Sequence, residues 1–238
     1  MRILRGLVSV LFFVVFGFGA TLISYTILPF VRRREAALRI VRGIWRMLVG
    51  AFEGSGLIRV DDSGLESDIR GSILVANHPS LIDVVLLTVL IPGTFSVAKR
   101  SLRRHPLLGP IVRRVFLPDD ETLLDVARPL LTEGYNILIF PEGTRSPGTR
   151  EMHPWHRGAA QLALRTGSSI RPLAMRFGYR ILGKGQPITD MGPRQVPIAI
   201  ASLPPLMPPE RMPEIFRPEA LSRTRLAEET VRAALERG

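Results

Sequence analysis

Residues 6–31 carry no charged side chain, and the run stops abruptly at Arg32-Arg33-Arg34. No other feature restricts the fold so strongly. As a helix the run would be about 39 Å long at ~1.5 Å per residue, enough to cross a hydrocarbon core of about 30 Å with some tilt. A cleaved signal peptide is the competing reading. The run is longer than a usual signal core, and a basic stop is wrong for a cleavage site. The basic side is expected to face the cytoplasm.

A second helix is expected over residues 35–52. Leu38, Val41, Trp45, Leu48 and Phe52 recur at spacings of three and four, with Arg39, Arg42 and Arg46 on another stripe. That pattern suits a basic amphipathic helix lying in the membrane interface. Packing of the apolar stripe on the soluble domain is the alternative. Gly17, Gly19 and Pro29 leave room for kinks, so a hairpin dipping into one leaflet stands beside a full span. The expected organisation is a membrane anchor over residues 1–53 and a globular domain over 54–238.

The net charge is +11, which raises the question of nucleic acid. Residues 1–60, however, hold nine Arg against Glu35 and Glu53. The basic excess flanks the apolar run, where anionic lipid headgroups are the natural partner, and no nucleic-acid motif is present. The chain has no cysteine, which excludes a disulfide scaffold and a thiolate metal site. His153 and His156 lack acidic or thiolate companions, so no metal and no cofactor is expected.

After residue 56 the pattern becomes α/β. Apolar, partly β-branched runs predict strands over 71–76, 94–98, 136–140, 170–177 and 196–201. Helical patterns lie between them, over 80–90, 121–133 and 158–165, with Asp119 and Asp120 as caps for the middle one and Pro129 as a kink within it. Residues 203–218 read as a Pro-rich surface loop, and 219–237 as a charged amphipathic helix. The alternation argues for a largely parallel or mixed sheet covered by helices.

Two constellations carry chemistry. In Asn77-His78-Pro79-Ser80-Leu81-Ile82-Asp83, His78 falls at the C-terminal end of a strand, where open α/β sheets place ligands. The turn can return the Asp83 carboxylate to the imidazole. An Asp on one ring nitrogen fixes the tautomer and leaves the other free as a base. His-x4-Asp alone also fits a structural His beside a helix cap, with Ser80 as that cap. The second constellation, Phe140-Pro141-Glu142-Gly143-Thr144-Arg145-Ser146, follows another strand. Gly143 and its turn can present backbone N–H groups to an anion. Arg145 offers a planar fork for phosphate oxygens. Glu142 either orients Arg145 or binds an acceptor hydroxyl.

Together the two motifs resemble the lysophospholipid acyltransferase family that includes 1-acylglycerol-3-phosphate acyltransferases, which pairs NHxxxxD with FPEGTRS. Val97-Ala98-Lys99 with Leu107-Leu108-Gly109 resembles the family's second block, and Ile170-Arg171-Pro172-Leu173 its fourth. The resemblance covers about residues 70–180. It implies transfer of a fatty acyl group from acyl-CoA or acyl-carrier protein to the hydroxyl of a lysophospholipid, 1-acyl-sn-glycerol-3-phosphate above all. A different lysolipid acceptor, a CoA-independent transacylase and a non-catalytic membrane-binding relative are the alternatives. His78 would be the base and Asp83 its orienter. Glu142, Gly143, Thr144, Arg145, Lys99 and Asn77 would serve substrate binding. The place of work would be the cytoplasmic face of a bacterial inner membrane. One block departs from the pattern: Phe116-Leu117-Pro118-Asp119-Asp120 stands where relatives carry an aromatic–basic segment ending in Arg, so a basic phosphate contact is missing or displaced there. Lys99 and Lys184 are the only lysines among 32 basic residues. Lys99 is a candidate for part of that charge.

Overall fold

The computed structural model describes residues 2–105, 109–209 and 216–237. Its frame is one seven-stranded sheet in the order β1-β7-β6-β2-β5-β3-β4. The strands are β1 (Ile58–Gly64), β2 (Ile73–Ala76), β3 (Thr94–Ala98), β4 (Phe116–Pro118), β5 (Asn136–Ile139), β6 (Ile170–Phe177) and β7 (Val196–Ser202). Only β6 and β7 pair antiparallel; the other neighbours are parallel. The sheet is therefore mixed, as the alternation predicted.

β2 is Ile-Leu-Val-Ala, buried at every position. Such a continuous apolar run belongs to a strand covered on both faces. Ile73 and Val75 face one core with α5 (Leu123–Thr132), α6 (Gly158–Thr166) and α7 (Phe216–Glu236). Leu74 and Ala76 face the other, with α3 (Asp83–Leu90) and the second half of α2 (Arg34–Gly54). Alternate side chains thus feed opposite layers.

The apolar stripe of α2 does not face a membrane. Leu38, Val41, Leu48 and Phe52 are buried in the two cores, while Arg42 donates to the carbonyls of Thr88 and Val89. Packing on the sheet wins because the stripe closes over α3 and the end of the sheet. The outward apolar surface belongs to α1 (Arg2–Thr26). Its inner side is docked: Phe12 stacks on Phe52 and Phe13 meets it edge-on, and Ser9 donates to the Ile188 carbonyl. The Arg5 guanidinium donates to the carbonyls of Gly56, Leu57, Met191, Gly192 and Arg194. Its outer side exposes Leu4, Leu7, Leu11, Val14, Phe18 and Leu22, a helical stripe that none of the described residues covers.

Several boundaries differ from expectation. The predicted helix from residue 80 begins at Asp83, and the helix over 121–133 contracts to Leu123–Thr132 with Pro129 inside it. Asp120 alone shapes that entry, accepting from the Thr122 amide and hydroxyl. Two strands were not foreseen. β1 reads Ile-Arg-Val-Asp-Asp-Ser-Gly and is largely exposed, an edge strand with loop-like composition. β4 has three residues and closes on Pro118, which suits a sheet margin. The helix α4 (Gly109–Val115) joining β3 to β4 was also missed. Leu107 and Leu108 of the second block, and part of the predicted 203–218 loop, lie outside the described residues.

Candidate active site

β2 and β5 are direct parallel neighbours, so the segments leaving their C-terminal ends emerge side by side. This is why motifs about sixty residues apart meet. The crossing is closed by main-chain bonds on both sides of His78. Its N–H donates to Glu142 Oε1 at 3.0 Å and Ser146 Oγ at 3.1 Å, and its carbonyl accepts from the Ser146 amide at 2.7 Å.

His78 Nδ1 lies 2.9 Å from Asp83 Oδ2. The imidazole stacks on Phe140, with ring centroids 4.0 Å apart and 19° between planes. With Nδ1 turned to a carboxylate, Nδ1 is the donor and Nε2 keeps its lone pair. The His78 side chain is 18% exposed and that of Asp83 0%, so an imidazole with an open side rests on a carboxyl with none. Burial pushes the Asp83 carboxyl up from its ordinary range, against the pull of His78 and of the Ser80 amide that also donates to Oδ2; the Glu142 charge adds a smaller push upward. A buried anion held above its usual pKa gains from any positive charge beside it. Ser80 shapes the turn instead of capping a helix: its Oγ accepts from the Ile82 amide at 3.4 Å.

The other expected site residues divide sharply. Glu142 is buried, and both its oxygens are engaged: Oε1 also accepts from Ser146 Oγ at 2.6 Å, and Oε2 from the His153 amide at 2.8 Å. It forms no ion pair with Arg145. Arg145 Nη1 instead donates to the carbonyls of Leu182 and Gly183, at 2.7 and 3.1 Å. Asn77 is also used up, its amide exchanging two 2.8 Å bonds with the backbone of Met175 on β6. It extends the β2–β6 ladder by one side chain. Gly143 has φ of 64° and is exposed, and its missing Cβ would sit 3.5 Å from the His156 ring. Thr144 is half-buried on the same turn, and Lys99 stands exposed where β3 ends. Lys184 is exposed on the loop after β6.

That loop, residues 178–195, is what the sequence reading missed. It lines the site through Leu182, whose carbonyl also accepts from the Leu81 amide. Leu182 has φ of 52°, a left-handed backbone that costs a non-glycine residue on the order of 1 kcal/mol. Arg145 and Leu81 hold it there. The stack of Phe140 on His78 was equally unseen, since Phe140 reads as the last apolar residue of a strand. Trp155 is buried beside Pro141 and His156. Among the described residues no group of His, Asp and Glu is arranged to hold a metal ion.

A family model described as Acyltransferase matches residues 59–176. Among curated proteins, the chain is 33% identical over 122 residues to a 1-acyl-sn-glycerol-3-phosphate acyltransferase of Cocos nucifera, covering 47% of this chain and 39% of that protein. It is 28% identical over 190 residues to one of Limnanthes alba, covering 75% and 63%. It is also 33% identical over 119 residues to a lyso-ornithine lipid O-acyltransferase of Pseudomonas aeruginosa, covering 47% and 45%. The chain thus spans less than two thirds of the length of each of these relatives. Among solved structures, the 1-acyl-sn-glycerophosphate acyltransferase PlsC of Thermotoga maritima shares the fold at a TM-score of 0.70 and 24% identity, covering 100% of this chain and 97% of that one.

Proposed function

Since the chain belongs to the acyltransferase family, we propose that it moves a fatty acyl group from the thioester of acyl-CoA or acyl-carrier protein to the free hydroxyl of a lysophospholipid, 1-acyl-sn-glycerol-3-phosphate first among them. The observation that carries this reading is the half-open His78 resting on fully buried Asp83 at the end of β2. His78 Nε2 takes the hydroxyl proton as the acceptor oxygen attacks the thioester carbonyl. The C–S bond breaks as the tetrahedral intermediate collapses, and the imidazolium returns the proton to the departing thiolate. The products are an ester and a free thiol. The Gly143–Thr144 turn lies beside this centre and is assigned to the acceptor, and exposed Lys99 at the end of β3 is assigned to the acceptor's phosphate. Glu142 and Asn77 act on substrate indirectly, by fixing the backbone that carries His78.

The docking of α1 supports a one-leaflet anchor over a span. A crossing helix would have to pull Arg5 from five carbonyls and Phe12 and Phe13 from Phe52. Left in place, α1 immerses only its outer stripe, and the site opens at the membrane surface. We assign that surface to the cytoplasmic face, on the basic residues that follow the helix.

A second acceptor class has one observation in its favour. The sheet edge at β4 ends on Pro118-Asp119-Asp120, acids where a phosphate contact would need a base. An acceptor with an ornithine headgroup, as in the P. aeruginosa relative's name, fits exposed Asp119 there better, Asp120 being engaged by Thr122 and standing near Arg100 and Arg103. The decisive experiment is lipid mass spectrometry of the purified protein and its His78→Ala variant, given mixed lysolipids with acyl-CoA and acyl-carrier protein separately. Thioester-dependent product from the parent alone is expected. Product from folded, membrane-bound His78→Ala would overturn the mechanism.

A further inference from the structure

The hinge between α1 and α2 gathers guanidinium groups that no carboxylate pairs with directly among the described residues, Asp120 acting on Arg103 and Glu35 on Arg34 only at longer range. Arg34 opens α2, Arg103 lies on the 3-10 turn Arg100–Arg104 after β3, and Arg114 lies on α4. Arg114 donates to the carbonyls of Pro29 and Val31, at 3.2 and 3.3 Å. Arg113 donates to the Arg103 carbonyl at 2.7 Å. These bonds place charge without neutralising it. Among the described residues, none of the ion pairs involves Arg34, Arg103 or Arg114. Arg34 Nη1 is buried with no hydrogen-bond partner. Burial first, then the charges of Arg103 and Arg114, pull the Arg34 guanidinium below its ordinary value, and Glu35 offsets this least. The first turn of α2 has no side-chain cap, so its N–H groups add positive potential.

We propose that Arg34, Arg103 and Arg114 bind the phosphate of an anionic glycerophospholipid from the surrounding bilayer, at a site separate from the acyl-transfer centre. Half-buried like charges without a direct counter-ion are costly, and a guanidinium fork matches phosphate oxygens. The depth is right for a headgroup. The uncovered stripe of α1 ends at Ile27 and at Phe30, which is 83% exposed, and the first charged residues follow at once.

The acceptor's own phosphate is a poor fit. β3 lies two strands from β2, about 10 Å at ~4.8 Å per strand, and the hinge lies beyond it. The hinge, beyond that gap, exceeds the reach of a glycerol phosphate from hydroxyl to phosphorus, whereas a lysine at the end of β3 is long enough to cross part of the gap. The donor's phosphates are excluded less strictly, so the test separates them. The proposal rests on the membrane-facing reading of α1 but not on turnover.

The test uses the full chain in neutral detergent and follows thermal unfolding with short-chain soluble phosphatidylglycerol, short-chain phosphatidylcholine or CoA. Phosphatidylglycerol alone should raise the midpoint, by roughly 5–10 °C at a hundredfold excess over its Kd. The pair Arg34→Gln/Arg103→Gln should lose this shift and unfold at or above the parent's ligand-free midpoint, since repulsion is relieved. Arg103→Gln alone, a milder change, should lose most of the shift. The pair Arg32→Gln/Arg33→Gln removes equal charge from exposed positions and should keep it. Equal loss in both pairs would show diffuse attraction, and a shift with CoA that disappears in the Arg34/Arg103 pair would show a donor site. Either result overturns the proposal. Equal shifts from phosphatidylcholine and phosphatidylglycerol would overturn it too, while leaving the acyltransferase reading untouched.

Discussion

At the C-terminal edge of the sheet, the β2–β5 junction and the β3–β4 margin treat polar groups in opposite ways. At the junction the protein answers itself. Glu142 receives three donors, Asn77 is paired on both sides of its amide, and His78 is bonded through its N–H, its carbonyl and its ring. At the margin Lys99 and the arginines of the following turn stand without carboxylates within ion-pair reach, among the described residues. The cause is topological. β2 and β5 are hydrogen-bonded neighbours in the middle of the sheet, so their exits can be cross-linked. β3 and β4 close the sheet against the α1–α2 hinge, where the chain leaves charge for a ligand to complete. A base needs fixed geometry before substrate arrives, whereas a headgroup contact gains from waiting for its anion.

The largest effect should come from breaking the junction at its buried centre. Asp83→Asn keeps the shape but holds the wrong tautomer, so kcat should fall about 10³–10⁴-fold, as for the orienting Asp of a Ser-His-Asp triad. Stability should move the other way. Burial raises the Asp83 pKa, so the folded chain holds that proton to higher pH than the unfolded one. Between the two values the folded state binds more protons, and stability falls as pH rises through the folded pKa. The variant lacks this loss. Its melting temperature minus that of the parent should grow with pH, on the order of a few °C. A gap that shrinks as pH rises would show that the pair with His78 outweighs burial.

Glu142→Gln attacks the same region from its scaffold. Gln can accept at one oxygen only and brings two N–H donors to a place that already supplies three. Chemical denaturation should show a loss of about 2–3 kcal/mol. Because the His78 backbone loosens, kcat should fall roughly 10–100-fold, with KM for the acceptor little changed. A rise in KM alone would move Glu142 from the scaffold to the substrate.

The sequence made the central strands, the His78–Asp83 pair and the meeting of the two motifs readable, because each rests on local chemistry. Buried strands must be apolar, and a His at a strand end followed by an acid has few ways to fold back. What it hid depends on distant partners. Glu142 and Arg145 stand three residues apart and look like a pair, yet each is claimed by another segment: Glu142 by His78 and His153, Arg145 by Leu182 and Gly183. The periodicity of α2 displayed an apolar stripe but not which surface would cover it. The edge strand β1 escaped notice since exposed Asp-Asp-Ser has the composition of a loop, and only pairing with β7 makes it a strand.

Lys99 sits on the border between the two regions, and its loss should be the mildest change. It is exposed at the end of β3, two strands from β2. A point charge at that distance and exposure attracts a phosphate but does not touch the reacting atoms. Removing such a uniform binding contact raises KM and leaves kcat in place. Lys99→Gln should therefore raise KM for a phosphate-bearing lysolipid about 5-fold, near 1 kcal/mol for a partly screened charge–phosphate contact. A lysolipid without a phosphate should be unaffected. An equal change for both acceptors would detach Lys99 from headgroup recognition. A drop in kcat would place it with His78 in the ordered half of the site, and the border would then lie further along the edge, at the arginines themselves.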